Sequence, residues 1–358
     1  MRTVKWNAFL SCLCVLAAAL GGLAASVRAD VTIDKGASVL IFPKVRADGT
    51  FETTIQIANT GNSLVVAKCF YVNASGSQCQ ETDFTILLTK QQPTVWVVGS
   101  GRPYGYYGGI QPGAIPPMGN SFIGELKCIE TDLTGAPVTG NHLKGETTIE
   151  AVRTGVDSKT GLQVTIGDVT KHNALGILGN PAATASNPVT LDGGATYAAC
   201  PGKQILNFLP TGSSDPLSPA TTRNYNELTL VTCQEDFENQ LWPTVVVQFL
   251  VFNSYEQRFS ASTSVKCFLN TELTAIDVPS RQNYFNTSVF GVGVLQTNEA
   301  QVEITPVPYS NGTSTAVAGV GERILVQAGT ATRAGINLHT DGDLVAVPPD
   351  QIRMPTGF

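Results

Sequence analysis

The stretch FETTIQIANTGNSLVVAKCFYV, residues 51–72, decides the reading of the fold. Phe51, Ile55 and Ile57 fall on alternate positions, so a pleated strand puts all three on one face. Asn59-Thr60-Gly61-Asn62 has turn chemistry, because Asn and Gly accept backbone angles that other residues resist. Residues 64–72 then run apolar with β-branched and aromatic side chains, the content of a buried strand. The same grammar recurs at 38–45, 84–88, 94–98, 122–129, 147–152, 162–166, 204–209 and 227–232, each segment bounded by Gly, Pro, Asn or Ser. It continues at 263–269, 289–295, 301–306, 323–327 and 344–347. Residues 245–252 are almost continuously apolar and predict a strand covered on both faces. No segment holds a helical period for long, and one helical turn is expected, at 169–175.

Residues 55–72, IQIANTGNSLVVAKCFYV, resemble the strand, Asn-Thr-Gly turn and strand of immunoglobulin-like modules in bacterial surface and secreted proteins. Residues 124–146, GELKCIETDLTGAPVTGNHLKGE, are similar to sequences of secreted bacterial proteins without an assigned role. The fold expected is all-β, with one or two immunoglobulin-like antiparallel β-sandwich domains, long loops and little helix. Such folds host many functions, so the resemblance stops at architecture.

The chain has 358 residues and opens like a secretory signal. Arg2 and Lys5 precede an apolar run over 9–25, and Val27 and Ala29 supply the small residues of a cleavage site. Residues 1–29 are read as a signal peptide, residues 30–178 as a β-sandwich domain, 179–194 as a turn-rich linker and 195–358 as a second β-rich domain. Export to the periplasm, cell surface or medium follows, with no integral membrane segment after cleavage. Removing Arg2, Lys5 and Arg28 leaves 19 basic against 28 acidic residues, a charge of about −9. That balance, with no Lys/Arg cluster, argues against nucleic acid as a partner.

Six cysteines remain: Cys69, Cys79, Cys128, Cys200, Cys233 and Cys267. An even count in an exported chain favours disulfides, and no Cys-x-x-Cys spacing suggests zinc or redox chemistry. Cys69 and Cys79 are symmetric about Ala74 in CFYVNASGSQC and are expected to face each other across a hairpin.

Two sets of residues suggest chemistry. Glu81 with Asp83, and Glu130 with Asp132, follow cysteines at strand spacing and share a face in each pair. They are candidates for calcium, which takes oxygen ligands, or for an acid and base acting on glycans. The plainer reading makes them the solvated ends of disulfide-tethered strands. Residues 99–119 form a Gly/Pro-rich excursion holding Arg102, Tyr104, Tyr106 and Tyr107, with Trp96 nearby. Exposed tyrosine offers a low-entropy contact for a protein or a glycan at the cell surface. His142, His172 and His339 lack partners at ligand spacing, and no Gly-x-Ser-x-Gly elbow occurs. The expectation is a non-enzymatic binding or structural module without a cofactor. A glycan-directed extracellular hydrolase and a fibre or surface-layer subunit are the alternatives.

Overall fold

The computed structural model describes residues 31–76, 79–103, 113–217, 221–276, 285, 295, 297–307, 315–344 and 348–356. Residues 1–29, read as the signal peptide, lie outside them, as do Tyr104, Tyr106 and Tyr107.

The strand, turn and strand of residues 51–72 form as read. Phe51–Asn59 alternates buried and partly exposed residues, with Phe51, Ile55 and Ile57 inward. The Asn59 side chain closes the turn, its Oδ1 accepting from the Gly61 amide at 2.7 Å and its Nδ2 donating to the Ser63 carbonyl at 2.7 Å. Val65–Asn73 follows, buried almost throughout. These two strands belong to different sheets. One sheet runs Val31–Thr32, Leu175–Ile177, Val39–Ala47, Phe122–Thr131, Val65–Asn73 and Gln80–Leu88; the other runs Val169–Asn173, Leu143–Ala151, Phe51–Asn59 and Pro93–Val97. Leu40, Phe42, Ile55, Ile57, Tyr71, Trp96 and Leu126 form the core between them.

The C-terminal part builds a second pair of sheets. Phe268–Glu272, Thr222–Thr232, Val317–Gln327 and Thr330–Asn337 lie side by side and are extended by Gln163–Val164 and Gly155–Val156. The facing sheet comprises Arg258–Lys266, Thr244–Asn253, Ala300–Pro306, Cys200–Phe208 and His339–Leu344, around a core including Leu228, Leu230, Phe249 and Ile304. A small sheet of Val189–Leu191, Asp350–Arg353 and Glu235–Asp236 completes the set.

The protein is therefore all-β, as expected, and its sheets are largely antiparallel. Gln163–Val164 beside Thr330–Ala331, and Glu235–Asp236 beside Ile352–Arg353, run parallel. The described strands form five sheets, neither the two of one immunoglobulin sandwich nor the four of two, so the finer expectation is not met. The described helix is the single turn Leu273–Ile276, while 169–175, read as helical, holds the strand Val169–Asn173. Its polar residues fit the edge of a half-covered sheet. Thr244–Asn253 alternates buried and more exposed residues, so it is covered mainly on one face despite its apolar run.

The centre of the six-stranded N-terminal sheet is buried on both faces. Val39–Ala47 and Phe122–Thr131 are buried at every position, charged residues included. Val39, Ile41, Phe70, Val72 and Ile129 pack outward against Val189, Tyr197, Val231, Phe237 and Ile352. Phe70 and Phe237 stack with ring centroids 4.2 Å apart. Residues 179–194, read as a linker, contain Val189–Leu191, whose Val189 and Leu191 are buried in this seam.

Candidate functional site

All six cysteines are paired, with one correction. Cys69 bonds Cys128, its direct neighbour on the adjoining strand, and Cys79 bonds Cys267; Cys200 bonds Cys233. The expected hairpin exists, but its register sets Cys69 opposite Phe84 and Asn73 opposite Gln80. The turn is thus centred farther along the chain than the Asn73-to-Gly76 chemistry implied. Cys79 is left beyond the ladder, free to tie this hairpin to the C-terminal sheets.

The four carboxylates do not converge. Glu81 lies beside Val72 and Glu130 beside Ala67, five residues apart along the shared neighbour strand, on the order of 17 Å. Glu81 accepts from Gln240 Nε2 at 3.1 Å, and burial pushes its pKa up. Asp83 pairs with Lys68. Glu130 is buried, which raises its pKa, and lies 2.7 Å from His142 Nδ1. Asp132 caps a turn, and hydrogen bonds from Thr134 hold its carboxyl below the usual range. Among the described residues no group of three or more His, Cys, Asp or Glu is arranged to hold a metal ion.

Trp96 and Arg102 turn inward instead of lining a contact surface. Trp96 Nε1 donates to the Tyr71 hydroxyl at 2.6 Å inside the N-terminal core. Arg102 donates to Thr94 Oγ1 and, at 3.2 Å, to the Gly113 carbonyl. Arg102 and Ile115 also exchange backbone hydrogen bonds, and Met118 and Gly119 bond back to Val98 and Gly99. The two ends of the 99–119 excursion are thereby fixed to each other and to the core.

Sequence reasoning missed the ionisable groups of the seam. The ladder between Val39–Ala47 and Phe122–Thr131 shifts between Phe42 and Val45, a bulge next to Pro43. It reverses the facing of the strand, so Val45 and Ala47 join Leu40 and Phe42 in the N-terminal core while Lys44 and Arg46 turn to the seam. Lys44 pairs with Glu227 and, at 2.9 Å, with Glu322. Arg46 reaches Asp157 at 2.7 Å, and Arg333 pairs with Asp157 and Asp168. His172 Nε2 lies 3.3 Å from Glu322. Burial alone would raise the Asp157 carboxyl, yet Arg46 and Arg333 hold it at about 2. Lys44 and His172 likewise overcome burial at Glu322 and hold it well below the carboxylate range.

A second cluster sets Lys127 between Glu125 at 2.6 Å and Glu235 at 2.8 Å, all without solvent exposure. Burial and the neighbouring Glu125 push the Glu235 carboxyl well above the usual carboxylate range. The signal for both clusters was present in LIFPKVRA and GELKCIET, where charges interrupt apolar strands at positions that water cannot reach.

One open concavity unites several strands. A cleft of about 540 Å³ lies where Cys200–Phe208, Ala300–Pro306 and Thr244–Asn253 meet Thr222–Thr232 and Val317–Gln327. Asn207, Asn226 and Gln301 supply amides, and Phe208, Phe252 and Ile336 supply apolar surface. Arg323, held by Asn224 and Asp215, and Glu299 add opposite charges to its wall. Asn226 donates to the Leu209 carbonyl at 2.6 Å, while its buried Oδ1 has no hydrogen-bond partner. An apolar pocket with a few convergent polar groups is the usual form of a small-ligand site.

No protein family and no curated protein matches this chain. Two solved structures show a faint likeness. The Thermotoga maritima 1070 protein is 9% identical, with a TM-score of 0.26 over 41% of this chain and 99% of its own. The chemokine-binding protein R17 of rodent gammaherpesvirus Peru is 11% identical, with a TM-score of 0.14 over 87% of each chain. Scores this low identify no shared fold and bear on no role for this chain.

Proposed function

We propose that this protein is an exported, non-enzymatic binding module of the cell envelope or extracellular space, and that the cleft around Asn226 takes a hydroxyl-rich ligand such as a glycan. The observation that carries this reading is the Asn226 Oδ1, buried in a 540 Å³ cleft without a donor. A buried acceptor left unmade costs about 1–3 kcal/mol, which a ligand hydroxyl would recover. Amides beside Phe208 and Phe252 suit a sugar ring, whose edges carry hydroxyls and whose face is apolar. Three disulfides fit an oxidising destination. The hydrolase reading weakens, because the carboxylates proposed for it lie apart.

A glycan array probed with the protein lacking residues 1–29 tests the proposal. Binding should fall at least about tenfold in Gln301→Ala and in Asn226→Leu. An array without retained glycans, or binding indifferent to both changes, overturns the cleft. A second reading rests on the anchored base of the 99–119 excursion, which suits Tyr104, Tyr106 and Tyr107 to act as the contact. Loss of binding in the triple Ala variant, with the cleft variants unaffected, would move the site to that loop.

A further inference from the structure

Three glutamates stand in a row on the other face of Thr222–Thr232. Its ladder sets Glu227 opposite Glu272 on one side and opposite Glu322 on the other. Directly opposed residues share a face at close range, and like charges there repel. Lys44 fills the gap between Glu227 and Glu322, reaching Glu227 Oε1 and Glu322 Oε2.

The gap between Glu227 and Glu272 holds no comparable ion pair among the described residues. Glu227 is 2% exposed, and its Oε2 has no hydrogen-bond partner. The Thr274 hydroxyl donates to Glu272 at 3.2 Å. Burial, with Glu227 and Asp157 nearby, raises the Glu272 carboxyl, as expected where negative charge is undercompensated. A cavity of about 270 Å³ opens on this gap, with Lys159 and Thr160 on one side and Asn270 and Thr271 on the other. Asn270 Oδ1 accepts from the Thr229 hydroxyl at 2.9 Å, and its buried Nδ2 has no partner.

We propose that this cavity binds a compact primary ammonium carrying a neighbouring hydroxyl or carbonyl oxygen, as in an amino sugar or amino alcohol. The ammonium donates to Glu227 Oε2 and to Glu272, and the adjacent oxygen accepts from Asn270 Nδ2. One cation in this gap repeats what Lys44 does in the next. A metal ion is the weaker occupant, since the described His, Cys, Asp and Glu residues form no ligand set. The small volume excludes a long chain. The site is separate from the Asn226 cleft, because Asn226 and Glu227 are consecutive on a strand and point to opposite faces.

The test is calorimetric titration of the protein lacking residues 1–29 with glucosamine, and in parallel with N-acetylglucosamine and glucose at the same pH. Glucosamine should bind saturably with one site, and the two uncharged sugars at least about tenfold more weakly. Glu227→Gln should abolish the difference. Because Glu227 also holds Lys44, the half-buried Glu272→Gln serves as the second variant, with folding checked by thermal melting. Equal binding of all three sugars, no binding by glucosamine, or glucosamine binding that survives Glu272→Gln in a folded protein overturns the proposal. Glucosamine binding that persists in Gln301→Ala would separate this site from the glycan cleft.

Discussion

Asp350 shows what burial does to a single carboxyl. Its Oδ2 accepts from the Ala316 amide at 2.9 Å, its Oδ1 has no hydrogen-bond partner, and burial pushes its pKa up to about 7. An aspartate in the unfolded chain titrates near 4. Between about pH 4 and 7 the folded state therefore keeps a proton that the unfolded state has lost, so this contribution to stability falls as pH rises through 7. The shift corresponds to roughly 4 kcal/mol at most. Urea unfolding of Asp350→Asn should lose less stability between pH 5 and pH 8 than the parent does; identical losses would remove Asp350 as the cause. Asp157 works in the opposite sense, since its depressed pKa contributes stability that is lost as pH falls from about 4 toward 2. Lys44 supplies a second prediction at this scale. Lys44→Met leaves Glu227 and Glu322 opposed and buried without their shared cation, and should cost about 3–5 kcal/mol in chemical denaturation. A loss below 1 kcal/mol would mean that the two glutamates relax into water.

Among the elements, the hairpin of Val65–Asn73 and Gln80–Leu88 joins the two parts of the molecule. Cys69–Cys128 secures it within its own sheet, and Cys79–Cys267 ties its tip across 188 residues of chain to the end of Arg258–Lys266. Replacing Cys79 and Cys267 together by Ser should lower stability by about 2–5 kcal/mol while leaving the sheets formed. Calorimetry with far-ultraviolet circular dichroism would show this as a lower melting temperature with an unchanged native spectrum. The strand Val39–Ala47 was legible as a strand from its apolar content, but its facing was not. A bulge beside Pro43 turns Lys44 and Arg46 away from the core that Leu40 and Phe42 enter, and a bulge depends on the register of the neighbouring strand as well as on local sequence.

At the scale of the whole molecule, the seam couples the parts that composition separated. Gln163–Val164 joins the sheet of Thr330–Asn337, and Lys127 pairs with Glu235 across the same boundary. Residues 30–178 produced alone would expose Val39, Ile41, Phe70 and Ile129 and leave Lys44 and Lys127 without their C-terminal partners. That fragment should aggregate or unfold, and the intact protein should melt in one cooperative transition by calorimetry. A soluble, cooperatively folding fragment would show that the seam is an addition to two independent units. The amino-acid sequence by itself determined the all-β class, the Phe51–Asn59 strand with its turn and the even cysteine set, because alternation, turn chemistry and composition act over a few residues. Only the tertiary structure decided the disulfide partners, the burial of Lys44, Arg46, Glu125 and Lys127, and the meeting of Asn226 with Gln301 in one cleft. Those outcomes depend on which strands become neighbours, and that is settled by packing between segments far apart in the chain.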